Sequence, residues 1–141
     1  MELMMHIYKT AEMGVYTTSC LMNSLRTREN KIKNLLENEL KEYEKYLKIS
    51  EKILTKNEVT PEGSGFMAKM GSSMGIKMET LKDNSDSAIA EMLIEGFTMG
   101  ELEIKTKIEK YKKICEKKIL KIAKNFQEFH SEEIVKLKMY I

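Results

Sequence analysis

Three glutamates and one histidine stand where helical spacing otherwise puts apolar side chains, and they are the residues of this chain best suited to chemistry. Glu39 lies at the centre of the row Ile32, Leu36, Glu39, Tyr43, Tyr46, Ser50, Ile53. Glu95 falls in the row Ala88, Met92, Glu95, Met99, Leu102, and His130 in the row Ile119, Ala123, Phe126, His130, Glu133, Leu137, Tyr140. Glu12 borders a fourth row, Met4, Tyr8, Ala11, Val15, Thr18, Met22, Leu25. A carboxylate on a buried face is costly unless it is protonated, paired or bound to a metal. Several carboxylates and an imidazole on one layer could bridge and neutralise two hard cations such as iron or manganese. No glycine-rich phosphate loop follows a strand, no cysteine or histidine spacing fits zinc, and no nucleophile has a base at readable spacing. Cys20 and Cys115 read as free thiols, and His6 as an exposed residue near a frayed N-terminus.

The elements that would position these groups are helices. With 141 residues the chain has room for one domain with a core, and one proline among abundant Lys, Glu, Leu, Ile and Met suits an all-α protein. Apolar residues recurring at alternating four- and three-residue steps predict helix 1 over 3–25 and helix 2 over 28–55, with Thr27 as the N-cap of the second. Pro61 and nearby glycines stop helix 2 and open a connection over 56–84, which carries a short helix from about 65 to 81. Ser85 or Asp83 then caps helix 3, 85–111, and helix 4 follows at 116–140. Unbroken, 86–140 would be about 80 Å long and would outrun its partners, so a break is expected at Lys112–Glu116. Helix 3 carries two adjacent apolar rows, the second being Ile89, Leu93, Gly96, Gly100, Ile104. A face that wide calls for at least two covering helices, with Glu95 inside it.

Short turns make helices 1 and 2, and helices 3 and 4, antiparallel, while the long connection lets helices 2 and 3 run parallel. Counting turns then brings Glu39 and Glu95 to one level, with Glu12 nearby on helix 1 and His130 and Glu133 on helix 4. An antiparallel pair of hairpins joined by one crossover resembles the ferritin-like superfamily, in particular its small bacterial members in which the metal site is partly lost. The resemblance implies one glutamate each from helices 1 and 3, matched by Glu12 and Glu95, and Glu-x-x-His on helices 2 and 4. Helix 2 has Glu39-x-x-Glu42 and helix 4 has Gln127-x-x-His130, so one imidazole and one bridging carboxylate are replaced. The resemblance thus implies a metal set of Glu12, Glu39, Glu95 and His130, with Glu42 and Glu133 as substitutes. It also implies two readings: a non-enzymatic bundle working through protein association, with no cofactor, or an iron or manganese protein.

Other partners are argued against. Basic and acidic residues number 24 and 22, and no apolar run approaches the ~20 residues of a membrane span. Residues 105–124 hold nine lysines against two glutamates, but with no arginine and little aromatic interleaving they read as solvated helix faces rather than a nucleic-acid site. No signal-peptide pattern precedes helix 1, so a cytoplasmic homo-oligomer, in the simplest case a dimer, is expected. The twelve methionines cluster in helix 1, the crossover and helix 3, where flexible thioethers fill gaps or line a partner groove.

Overall fold

A computed structural model describes residues 1–62 and 84–141. The expected crossover helix near 65–81, with Gly71 and Gly75, lies outside the described residues. Among those described, the elements are α1 (Glu2–Ser24), α2 (Lys33–Lys56), α3 (Asp86–Tyr111) and α4 (Lys117–Lys138). None is long and apolar enough to cross a membrane.

Each helix forms where its periodic row is buried. On α2 the buried residues are Leu35, Leu36, Glu39, Tyr43, Tyr46, Ser50 and Leu54, and on α4 Ile119, Ala123, Phe126, Phe129, His130, Glu133 and Leu137. On α1 the deepest face is rotated from the row read in the sequence. Leu3, Ile7, Thr10, Gly14, Thr17 and Leu21 are buried beside Met4, Ala11 and Thr18, whereas Tyr8, Val15 and Met22 sit at its edge. Residues 28–32 form a turn rather than helix, so Thr27 caps nothing and α2 starts at Lys33. At its other end Glu58 takes a left-handed φ of 58° and Val59 N–H reaches back to the Leu54 carbonyl, ending α2 before Pro61. The break between α3 and α4 falls between Tyr111 and Lys117.

α1 packs along α2 and α3 along α4, while the backbones of these two hairpins stand further apart. The hairpins are clasped at one end by Asp86. Its Oδ1 accepts from Asn30 Nδ2 at 3.0 Å, and its carboxylate also faces the Lys31 and Ile32 amides at 3.1 and 3.4 Å. These amides open α2 and have no partner within their own helix, so a carboxylate from α3 fills the role that Thr27 leaves vacant. The clasp brings the starts of α2 and α3 to the same end, and stacked Tyr43 and Phe97 rings 5.8 Å apart keep the two helices in step further along. α2 and α3 are therefore parallel, each antiparallel to its hairpin partner. Asp86→Ala is expected to lose about 1–2 kcal/mol, the usual worth of a lost N-terminal cap. The loss should appear in urea melts and be restored only in part by Asp86→Asn, whose single amide oxygen can replace Oδ1 but whose NH2 cannot accept from the Lys31 amide.

Candidate functional site: a buried carboxyl pair

Glu39 on α2 is completely buried, and Glu133 on α4 is 3% exposed. Their carboxyls meet in the middle of the molecule, within hydrogen-bonding reach. Two carboxylates only accept hydrogen bonds, which leaves both Glu39 oxygens and Glu133 Oε2 buried without a donor unless a proton lies between them. Lys136, one turn beyond Glu133, places its ammonium 3.3 Å from Glu133 Oε1 while reaching toward solvent. Complete burial, away from any ammonium of its own, therefore favours the proton on Glu39. Burial pushes the Glu39 carboxyl up to about 9, reinforced by the hydrogen bond and charge of Glu133 and opposed by Lys136. Tyr43, one turn on from Glu39, is also buried, and burial followed by the charges of the two glutamates holds its hydroxyl well above the ordinary tyrosine value.

His130 neighbours this pair within an aromatic cluster. Its ring centroid lies 4.6 Å from Phe126, 5.4 Å from Phe97, 5.5 Å from Phe129 and 6.5 Å from Tyr43. Nδ1 donates to the Phe126 carbonyl at 2.8 Å, because a carbonyl oxygen can only accept. Burial lowers its pKa, with the Phe126 carbonyl and Glu101 acting in the opposite direction. Nε2 faces Gly100 so closely that a Cβ built there would stand 2.8 Å from it. This histidine is a core residue whose Nδ1 is satisfied within its own helix.

The expected metal set does not come together. Glu95 is exposed, because the row Ile89, Leu93, Phe97, Ile104 turns inward and Glu95 lies about 200° round the helix from Leu93. The two apolar rows of α3 compete for one core, and the row carrying a carboxylate loses. Glu12 sits beside Tyr8 at the edge of α1. Gly14, not Glu12, lies against Tyr43, so Thr18 rather than Glu12 stands level with Glu39. On the other hairpin Ser131 Oγ donates to Glu101 Oε1 at 2.8 Å, which puts Glu95 level with Leu137 rather than with His130. Glu42 is half exposed and pairs with Lys45 at 3.5 Å. Glu133, read in the sequence as a substitute ligand, is the residue Glu39 meets. Among the described residues no three His, Cys, Asp or Glu side chains are placed to hold a metal ion, so the donor set does not fit a dinuclear centre.

Two further sequence readings change. His6 is not a frayed surface residue: Nε2 is buried, and burial, then Lys107, lower its pKa to about 4. Lys107 is partly buried on that side while Lys105 and Lys110 are exposed, so the lysines of 105–124 do not share one face. Sequence reasoning passed over Tyr43 and Lys136. The signal for the pair was present, since Glu39 and Glu133 both occupy seam positions of strongly amphipathic helices, and Lys136 follows Glu133 at the i,i+3 spacing of helical ion pairs. Comparison with known protein families, with curated proteins and with solved structures finds no match for this chain.

Proposed function

We propose that this protein is a ferritin-like four-helix bundle that acts through protein association as a homodimer, the outer face of α3 being the contact. One observation carries this reading. The apolar row of α3 that carries Glu95 is left uncovered by the described residues: Met99 is 62% and Leu102 65% exposed, with Met92 and Ala88 half-buried in line with them. Gly96 lies in the same face, and a Cβ there would meet nothing within 4 Å, so another backbone can approach closely. An apolar row of this kind on a charged helix marks an interaction surface.

The charges on α3 favour a second copy as the occupant. The first half of the helix carries Asp86, Glu91 and Glu95 and no basic residue. The second half and the turn after it carry Lys105, Lys107, Lys110, Lys112 and Lys113 against Glu101, Glu103 and Glu109. An antiparallel copy sets the acidic half of one α3 against the lysine-rich half of the other and opposes the two helix dipoles. The ferritin-like assignment is supported by the parallel course of α2 and α3 between two antiparallel hairpins.

Sedimentation velocity over a concentration series tests this reading. Wild type is expected as a dimer, and Leu102→Glu as a monomer with an unchanged helical circular dichroism spectrum. A buried carboxylate on each side of a two-fold contact should weaken association on the order of a hundredfold. Wild type sedimenting as a monomer at high micromolar concentration would refute the proposal.

A further inference from the structure

The carboxyl pair lies where the two hairpins meet, and this position is more informative than its burial. Glu39 belongs to the α1–α2 hairpin and Glu133 to the α3–α4 hairpin. Within each hairpin the helix backbones lie close along their lengths, whereas between the hairpins the backbones stand further apart and the seam is filled by side chains, Tyr43 and Tyr46 against Phe97, Phe126, Phe129 and His130. We propose that Glu39 and Glu133 form a proton-operated latch: one shared proton holds α2 to α4, and its loss lets the hairpins part while each keeps its helices. The inference is independent of the α3 face.

In the closed state the shared proton lies between the facing carboxyls of Glu39 and Glu133, and Lys136 holds Glu133 Oε1. Loss of the Glu39 proton to solvent before the hairpins part leaves two carboxylates facing each other, with one partly solvated ammonium between them and water. Neither carboxylate then has a donor for its inward oxygens, and both charges are desolvated. The surroundings offer nothing to replace the proton. α1 presents Thr17 and Thr18 at this level, α3 turns Leu93 and Phe97 inward, and besides Lys136 the ionisable neighbour that senses both carboxyls is Tyr43.

The sign of the pH dependence follows from where the proton is held. Folded Glu39 keeps it up to about 9, whereas the unfolded chain releases it at the ordinary value of 4.5. The native state therefore binds one more proton between these limits. The latch's contribution is fully present below pH 4.5, declines with rising pH and is gone above about 9. One proton corresponds to a tenfold fall in the folding equilibrium constant per pH unit.

The test uses the full chain and Glu39→Gln, whose amide can still donate to Glu133 but does not titrate. Between pH 6 and 8 the wild-type folding constant is expected to fall about a hundredfold more than that of the variant. Infrared difference spectra of wild type at pH 7 should show a protonated-carboxyl band that is absent in Glu39→Gln and vanishes above pH 9. At pH 10 small-angle scattering should show an expanded wild type that retains its helical circular dichroism, beside a compact variant. Should the variant not fold, the infrared band and the scattering of wild type decide alone. The same pH slope in both proteins, no protonated-carboxyl band at pH 7, or a compact wild type at pH 10 would each overturn the latch.

Discussion

Phe126→Ala should cost about 3–5 kcal/mol, the range for removing a large buried ring from a core that cannot collapse around the gap. Phe126 is completely buried and heads the large fully buried side chains of the molecule. Its centroid lies 4.8 Å from Tyr46 and 4.6 Å from His130, both in edge-to-face arrangement, and 6.3 Å from Phe129. These partners come from both hairpins, so the ring is part of the seam that joins them. Edge-to-face pairs contribute beyond the area they bury. The backbone carbonyl that accepts from His130 Nδ1 survives the substitution, so the loss is one of packing. Urea unfolding should show a lower midpoint with an unchanged slope. With native stability commonly about 5–15 kcal/mol, the variant stands near the threshold of folding. A loss below about 1 kcal/mol would mean that the aromatic cluster is loosely packed.

Gly14→Ala is expected to destabilise, against the usual preference of helices for alanine. Gly14 is buried in α1, and a Cβ there would enter the ring of Tyr43, meeting Cδ1 and Cε1. That ring cannot swing aside. Phe97 stacks 5.8 Å away and Phe129 stands edge-on at 5.2 Å, and Glu39 sits one turn before it on α2. Overpacking a core at one site costs about 1–3 kcal/mol. Gly96→Ala supplies the control, because its Cβ would stand in open space. In the Leu102→Glu background, where the α3 face is free, it should gain about 0.5–1 kcal/mol by restricting the unfolded chain and favouring the helix. Two identical substitutions in helical glycines should thus move the denaturation midpoint in opposite directions. Equal effects would show that Tyr43 yields.

Much of this molecule is legible in its sequence because helical periodicity is a local property. The seams of α2 and α4 are nearly the rows that spacing predicts, including the unusual positions of Glu39, His130 and Glu133. The need for a break after α3 follows from length alone, and the helices end at Tyr111 and resume at Lys117. The candidate site was less legible, because it depends on two relations between distant segments. The first is register. Counting residues from presumed helix starts puts Glu12 and His130 level with Glu39 and Glu95, but α2 begins at Lys33 rather than near 28, and Gly14 and Ser131 set the real offsets. An error of a turn is small in sequence and about 5 Å in space, enough to separate any set of ligands.

The second relation is the choice of face. α3 carries two apolar rows, and nothing local distinguishes the one that is buried. The sequence by itself determined four amphipathic stretches among the described residues, the carboxylates on their seams and the antiparallel sense of each hairpin, since spacing and short connections are properties of the chain alone. Only the tertiary structure decided that Glu39 faces Glu133, that Glu95 stands at the surface and that Asp86 starts α2. These follow from which surfaces of two hairpins fit together, and that fit is set by volumes and charges far apart in the chain.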